Sequence, residues 1–593
     1  MFTMITARQL LLSLSTLCLT LTLFDGGLAE VLPEPPAVNC KWSLWSEWSS
    51  CDPCTKTRRR SRDIEVFGQF GGDPCMGSIG DREFCQTSDL CEQPTSLCSV
   101  SQFQCTTELN TCLSKRLECN GDYDCEDGSD ENDCSYVLRK PCGNSDFETN
   151  EQARTAGYGV NILGADPRMN PFNNDFFNGR CDRARNPSTR KYDRLPWNVN
   201  VLSYETLAEE TVSREIYKDT YSIVKEMLKE MTFKVDAGLS FKFTPTESSL
   251  ANTTVTGEAG AEFSKKNVIK DVTEYSTIKN KSFMRVKGRV QLSTYRMRSR
   301  EPMVAEEFLI HVRSLPVVYE KGIYFAFLED YGTHYTRTGK SGGEYELIYV
   351  LNQDTIKAKN ITARSLQKCV KVGVSGDFAL PSGGDVKGHV RPENCETTPK
   401  TDTASYEGEA LVDKVMTSVK GGTLETAVTM RAQLNKEGVM NLDTYRSWAR
   451  SIADSPALIN SEPEPIYMLI PVDTPDANSR ITNLKRAIED YVAEYNICKC
   501  KPCKNGGTLA LIDGKCICMC SGEFEGLACQ NFKADKAQHQ GSRPVVHQEG
   551  NWACWSPWSS CRGGRRSRTR NCKTDGLGAS VTCRGEATSD EYC

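Results

Sequence analysis

Apolar and polar residues alternate over three stretches of the chain, residues 233–244, 284–294 and 370–380. In the first, Phe233, Val235, Ala237, Leu239, Phe241 and Phe243 share one face, and Lys234, Asp236, Ser240 and Lys242 share the other. In the second, Met284, Val286, Val290 and Leu292 oppose Arg285, Lys287, Arg289 and Gln291; the third opens with Val370, Val372 and Val374. A period of two predicts strands with one apolar and one polar face. Such strands suit a sheet half against solvent and equally the wall of a barrel in lipid. Two other segments follow helical spacing: 204–231, with Ile216, Tyr217, Ile223, Val224, Met227 and Leu228, and 483–495, with Leu484, Ala487, Ile488, Tyr491 and Val492. Both read as amphipathic helices packed on a core.

A chain of 593 residues exceeds one hydrophobic core. Its net charge of -6 carries no basic footprint for nucleic acid. Residues 10–24 form an apolar run after Arg8 and before Gly26, Gly27, Leu28 and Ala29, the pattern of a secretory signal over 1–29. No other stretch nears the roughly 20 apolar residues of a spanning helix, so entry into a membrane would have to be made by strands. Of 29 cysteines, Cys18 lies in the signal; the even, clustered remainder fits structural disulfides in an oxidising compartment. The five histidines stand in no Ser/His, Cys/His or His-Glu-x-x-His arrangement, so a structural His334 and no enzymatic chemistry are expected.

Small modules flank a large block. Trp42, Trp45 and Trp48 precede Arg58, Arg60 and Arg62 at alternate positions, among Cys40, Cys51, Cys54, Cys75, Cys85 and Cys91. Alternate strand residues face one way, so guanidinium planes can interleave with indoles. The pattern resembles a thrombospondin type 1 repeat over 38–92, and returns over 550–593 with Trp552, Trp555, Trp558, Arg566, Arg568 and Arg570. The resemblance implies C-mannosylation at Trp42, Trp45, Trp552 and Trp555. Residues 96–135, six cysteines followed by a dense acidic run, resemble a low-density-lipoprotein receptor class A repeat. That resemblance implies a structural Ca2+ held by side chains of Asn120, Asp124, Asp130 and Glu131 and by the carbonyls of Leu117 and Asp122. Asn120 replaces the family's more usual Asp, which removes one charge. Residues 498–530 resemble an epidermal growth factor-like module, which implies the pairs Cys500–Cys516, Cys503–Cys518 and Cys520–Cys529. Cys498 is then left over, and the closing repeat has an odd count of five cysteines. A Cys498–Cys554 bridge across the linker 531–549 satisfies both.

The block 137–497 has Cys142 and Cys181 near its start and carries Tyr331, Gly332, Thr333, His334 and Tyr335, with Gly342–Gly343 and Gly421–Gly422 beyond. Tyr-Gly-Thr-His-Tyr is the signature of the membrane attack complex/perforin domain, and the module order resembles that of the terminal complement proteins. Residues 62–70, 153–164 and 319–327 look most like the polymerising member of that set. The implied fold is multidomain α+β: a bent antiparallel sheet with two flanking helical clusters, plus small disulfide-rich modules. In that family the clusters unfurl into amphipathic hairpins. Here the first would lie between 233 and about 298 and the second would begin at Cys369, placing Met284, Val286, Val290, Leu292, Val370, Val372 and Val374 against lipid. Cys369 and Cys395 stand symmetrically about 381–384, leaving arms of about eleven residues, enough for a barrel strand to cross hydrocarbon. The glycine pairs, open to backbone angles closed to other residues, are expected as hinges. Sequons fall at Asn252, Asn280 and Asn360. The expected partners are earlier complement components, further copies of the chain and a target bilayer. The competing readings are an assembly subunit of the same set, which the closing repeat keeps open, and an extracellular adhesion scaffold that never inserts.

Overall fold

The computed structural model describes residues 32–91, 98–107, 111–135, 140–164, 167–187, 189–231, 240–242, 265–275, 280–370, 411–521, 523–533, 549–574 and 581–593. At its centre β1 (Val199–Val212), β2 (Lys281–Met297), β3 (His334–Asn352) and β4 (Val412–Lys420) lie side by side in chain order, all antiparallel. β3 is long enough to take two partners on one side. Its first half pairs β5 (Ala457–Pro465) from His334 to Gly342, and its second half pairs β4 from Glu344 to Leu351. At the same level the register shifts between Gln291 and Ser293 on β2 and between Tyr204 and Leu207 on β1. Bulges bend and twist a ladder locally, so this line across three strands is where the sheet curves.

Helices occupy the connections. α1 (Thr220–Met231) and α2 (Lys265–Glu274) fall between β1 and β2; α3 (Glu306–Ser314) and α4 (Lys321–Tyr331) between β2 and β3. α5 (Gln353–Ala358) and α6 (Ala363–Val370) fall between β3 and β4, α7 (Leu424–Glu437) and α8 (Leu442–Ser451) between β4 and β5, and α9 (Ala477–Glu494) follows β5. The expected helix 483–495 is thus the second half of α9. The expected helix 204–231 is only half right: its first part belongs to β1. The apolar stripe that suggested the helix, Ile216 to Leu228, lies wholly beyond the end of β1, so only the C-terminal part of the expected span is helical.

The two faces of the sheet bury different partners. On one, Met284, Val286, Val290 and Leu292 pack with Leu347, Tyr349 and Leu351 of β3 under Leu366 and Val370 of α6, Met430 of α7 and Trp448 of α8. On the other, Phe283, Ile348, Val350 and Met416 pack with Ile223, Val224, Met227 and Leu228 of α1, Val268, Ile269 and Val272 of α2, and Ala510, Ile512 and Met519 of a hairpin formed by β6 (Thr508–Ile512) and β7 (Lys515–Met519). Around the first half of β3, α3, α4 and α9 close a third core that also takes in Ile64 and Phe67 of the N-terminal module.

Apart from Cys498 and Cys554, the cysteines of the small modules pair within each module: Cys40–Cys75, Cys51–Cys85 and Cys54–Cys91; Cys98–Cys112, Cys105–Cys125 and Cys119–Cys134; Cys500–Cys516, Cys503–Cys518 and Cys520–Cys529; Cys561–Cys593 and Cys572–Cys583. Cys142 is bridged to Cys181, and Cys498 to Cys554. Arg62 lies 3.9 Å from the Trp42 ring centre, Arg60 4.3 Å from Trp48, Arg570 4.5 Å from Trp552 and Arg568 4.4 Å from Trp558. The two ladders therefore match rung for rung.

Candidate functional site

Each helical cluster is the connection between two strands that already pair antiparallel. Residues 213–280 join β1 to β2, and residues 353–411 join β3 to β4. Zipping either connection would lengthen an existing ladder without changing the topology. Each is far longer than the roughly 20 residues needed to cross hydrocarbon twice as strands.

Polar contacts fix the first cluster to its sheet face. The Arg285 side chain, 3% exposed, donates from Nε to Glu346 on β3 at 2.5 Å and from Nη2 to Glu230 on α1 at 2.7 Å; Lys287 joins Glu230 at 2.7 Å. Arg285 is therefore not wet as expected: α1 covers it, and Glu230 of α1 and Glu346 of β3 supply the counter-charge. The growth factor-like hairpin closes over both helices. The Thr508 hydroxyl donates to the Tyr221 hydroxyl at 2.9 Å, and Lys270 meets Asp513 at 2.8 Å. Of residues 233–244 only 240–242 are described. Ser240–Phe241 adds in parallel to Leu511–Ile512, Phe241 is buried, and Lys242 enters a cage of Tyr491, Tyr495 and Glu329.

Met284, Val286, Val290 and Leu292 lie in the central sheet and not in a helical cluster, fully covered by α6, α7 and α8. The apolar row meets α6, α7 and α8 and the polar row meets the charged side of α1, which accounts for the alternation without reference to lipid. Val370 is buried as the last residue of α6. Val372, Val374, Cys395 and Asn252 fall outside the described residues, as does the Cys369 side chain. Asn280 and Asn360 are exposed and left-handed, and Asn280 donates to Asp354 at 3.0 Å.

The glycine pairs meet at the bend, for two different reasons. Gly421 and Gly422 have φ of 76° and 84°, the left-handed region that favours glycine. Gly342 and Gly343 do not; they are glycines because of close approach. A Cβ on Gly342 would stand 2.0 Å from the Val290 carbonyl oxygen, and one on Gly343 would stand 2.7 Å from Ile452. Trp448 of α8 seals the joint, its Nε1 donating to the Gly421 carbonyl at 3.0 Å.

The Tyr331–Tyr335 signature is a splice between α4 and β3. Gly332 ends the helix at φ 85°, with Val160 so near that a Cβ would meet its carbonyl oxygen at 2.6 Å. The Thr333 hydroxyl accepts from Ile162 N at 2.9 Å, and Tyr335 donates to Glu464 at 2.7 Å. His334 Nδ1 faces the Thr333 hydroxyl at 2.9 Å, and burial pushes its pKa down to about 4.

In the class A repeat the acidic side chains are tied to nearby amides. Asp130 accepts from Asp124 N at 2.7 Å and Cys125 N at 3.1 Å; Glu131 accepts from Gly121 N at 2.9 Å. The Asn120 amide donates to Asp124 at 2.7 Å, while its oxygen accepts from Asp122 N at 2.8 Å. Asp124 is buried, and its Oδ1 makes no hydrogen bond. Burial, then the charges of Asp122 and Asp130, push its carboxyl up to about 7 against the pull of Asn120 and of the Asn178 backbone. A buried carboxylate short of a partner, amid oxygen-only donors, fits a hard divalent cation. By sequence position, Leu117 and Asp122 would supply the two carbonyls. The Asp122 carboxylate is engaged elsewhere, in a two-pronged pair with Arg194 of the next domain, at 2.8 Å for Nη2. Nothing in sequence spacing signalled this contact.

The description MAC/Perforin domain matches residues 150–501, Low-density lipoprotein receptor domain class A matches 96–134, and Thrombospondin type 1 domain matches 43–91. The chain is 59% identical over 574 residues to Complement component C9 of Oncorhynchus mykiss, covering 96% of this chain and 99% of that one. It is 30% identical to Complement component C8 alpha chain of Oryctolagus cuniculus, covering 91% of each. It is 30% identical to Complement component C7 of Mus musculus, covering 94% of this chain and 62% of that one. With strands, signature and modules arranged as above, the chain belongs to the membrane attack complex/perforin family, among its complement components.

Proposed function

We propose that this chain is a secreted pore-forming subunit of terminal complement, which joins earlier components on a target membrane, polymerises with further copies of itself and inserts two hairpins per subunit into a shared β-barrel. The observation that carries this is the placement of both helical clusters as connections between adjacent antiparallel strands. Among the described residues no helix is long and apolar enough to cross a membrane. In hydrocarbon an unpaired amide costs several kcal/mol, so strands must enter as a closed ring, and assembly must accompany insertion.

In this reading Val370, Val372 and Val374 belong to the second hairpin and meet lipid. Met284, Val286, Val290 and Leu292 remain in the sheet above the bilayer, because β2 already has a neighbour on each side. Release of α1 leaves Arg285 paired with Glu346, so no buried charge is stranded when the cluster departs. The Gly342–Gly343 and Gly421–Gly422 joint opens when α8 withdraws Trp448, and the sheet straightens there. Asn120, Asp124, Asp130 and Glu131, with the carbonyls of Leu117 and Asp122, would hold a Ca2+ that stiffens the class A repeat. The mechanism uses no bond-making chemistry.

The test is dye release from liposomes carrying the earlier complement components. Ser240→Cys with Leu511→Cys, neighbours across the short parallel pair, ties the first segment to the growth factor-like hairpin. The tied protein is expected to lose most of the release seen with each single substitution. Release equal to the single variants would remove the mechanism.

A further inference from the structure

We propose that cation binding in the class A repeat and docking of that repeat on the perforin-like domain are one coupled event, transmitted by Arg194. The proposal rests on the Ca2+ reading above. Asp122 lies between two side-chain ligands, Asn120 and Asp124, and by position lends its own carbonyl to the ion. Its carboxylate is nevertheless turned away and gripped by both terminal nitrogens of Arg194, with the two side chains 7% and 11% exposed. Arg194 ends the short hairpin Arg183–Arg185 with Tyr192–Arg194 and also holds the Arg180 carbonyl, its Nε donating at 2.8 Å. The Phe177 ring lies 4.2 Å beneath its guanidinium. That Arg180 loop is tied down by Cys142–Cys181, and its Phe176 is buried among Cys105, Leu113 and Cys125 of the class A repeat.

The physical link runs both ways. Without a cation, Asp124 and Asp130 repel across a shared site, and the loop that carries them, Asp122 included, relaxes outward. Arg194 then keeps a buried charge and loses its partner, which is costly in a site closed to water. Conversely, Arg194 neutralises and anchors Asp122, holding its backbone where the carbonyl faces the ion. Linkage requires that the ion tighten the docking by the factor by which docking tightens the ion. Arg194 is thus a positioning residue for a cation it never touches.

The test uses the full chain stripped with a chelator, read by calorimetric Ca2+ titration and by hydrogen exchange across residues 176–182, which lie in the perforin-like domain. Wild type is expected to bind one ion in the class A repeat and to gain protection at 176–182 when it does. Arg194→Gln is expected to bind on the order of tenfold more weakly, within the usual span of coupled sites, and to show high exchange at 176–182 with or without Ca2+. Asp122→Asn keeps the backbone carbonyl and loses the ion pair, so it is expected to behave as Arg194→Gln and guards against a folding defect in the latter. Lys191→Gln, which breaks the exposed pair with Glu148 in the same hairpin, is expected to match wild type. No Ca2+ binding by wild type overturns the Ca2+ reading itself. Normal binding with exchange at 176–182 unmoved by Ca2+, or with unchanged affinity in both Arg194→Gln and Asp122→Asn, overturns the coupling alone.

Discussion

At Gly421, backbone angle and crowding act together, and a second glycine separates them. Gly514, in the turn of the growth factor-like hairpin, has the same φ of 76° but nothing within 4 Å of its would-be Cβ, whereas at Gly421 that atom would stand 2.5 Å from the Gly342 carbonyl oxygen. Gly514→Ala is expected to cost about 1 kcal/mol, the left-handed penalty alone, and Gly421→Ala about 1–3 kcal/mol more from overpacking. Calorimetric melting of the two variants checks this, and equal costs would dismiss the close-packed joint. His334 supplies a pH dependence. Its folded pKa of about 4 lies below its ordinary 6.5 because burial penalises the charged ring. Between those values the unfolded chain binds more protons, so stability is complete above pH 6.5 and falls as pH drops toward 4. His334→Gln is expected to flatten that part of the melting-temperature profile; an unchanged slope assigns the loss to other groups.

The elements that the sequence made legible are those fixed by short-range spacing. Cysteine spacing and the Trp/Arg alternation mark the small modules because each is a local code, readable within some forty residues. The helix expected over 204–231 began too early because its apolar stripe, Ile216 to Leu228, belongs to the segment around α1, and nothing in it marks where the long strand before it ends. The wet face expected for Arg285 failed for a related reason: its partners, Glu230 and Glu346, lie on separate elements. Likewise, no periodicity could reveal that the β6–β7 hairpin covers α1 and α2. That cover yields an expectation at this scale. Thr508→Val with Lys270→Ala removes the polar ties to Tyr221 and Asp513 while sparing the apolar core. Faster dye release, by a few-fold, is the expected outcome, whereas an unchanged rate would mean that the hairpin does not restrain the cluster.

Across the whole molecule, the small modules brace the body at separate points. The closing repeat is tied by Cys498–Cys554, by Asn551 donating to the Ile497 carbonyl at 3.0 Å, and by Lys573 donating to the Cys498 carbonyl at 2.7 Å. Replacing both cysteines by serine is expected to enlarge the radius of gyration in solution scattering while the perforin-like domain melts as before, since no part of its core includes the bridge. The central claim concerns two connections, helical at 220–231, 265–274, 353–358 and 363–370 in the monomer, that become extended ladders in the pore. Environment-sensitive fluorophores placed singly at Lys371, Val372, Gly373 and Val374 on assembled lesions test it most directly. Lipid-like emission, quenched from within the bilayer, is expected at Val372 and Val374, with water-like emission at Lys371 and Gly373. Four positions reporting the same environment would contradict the account.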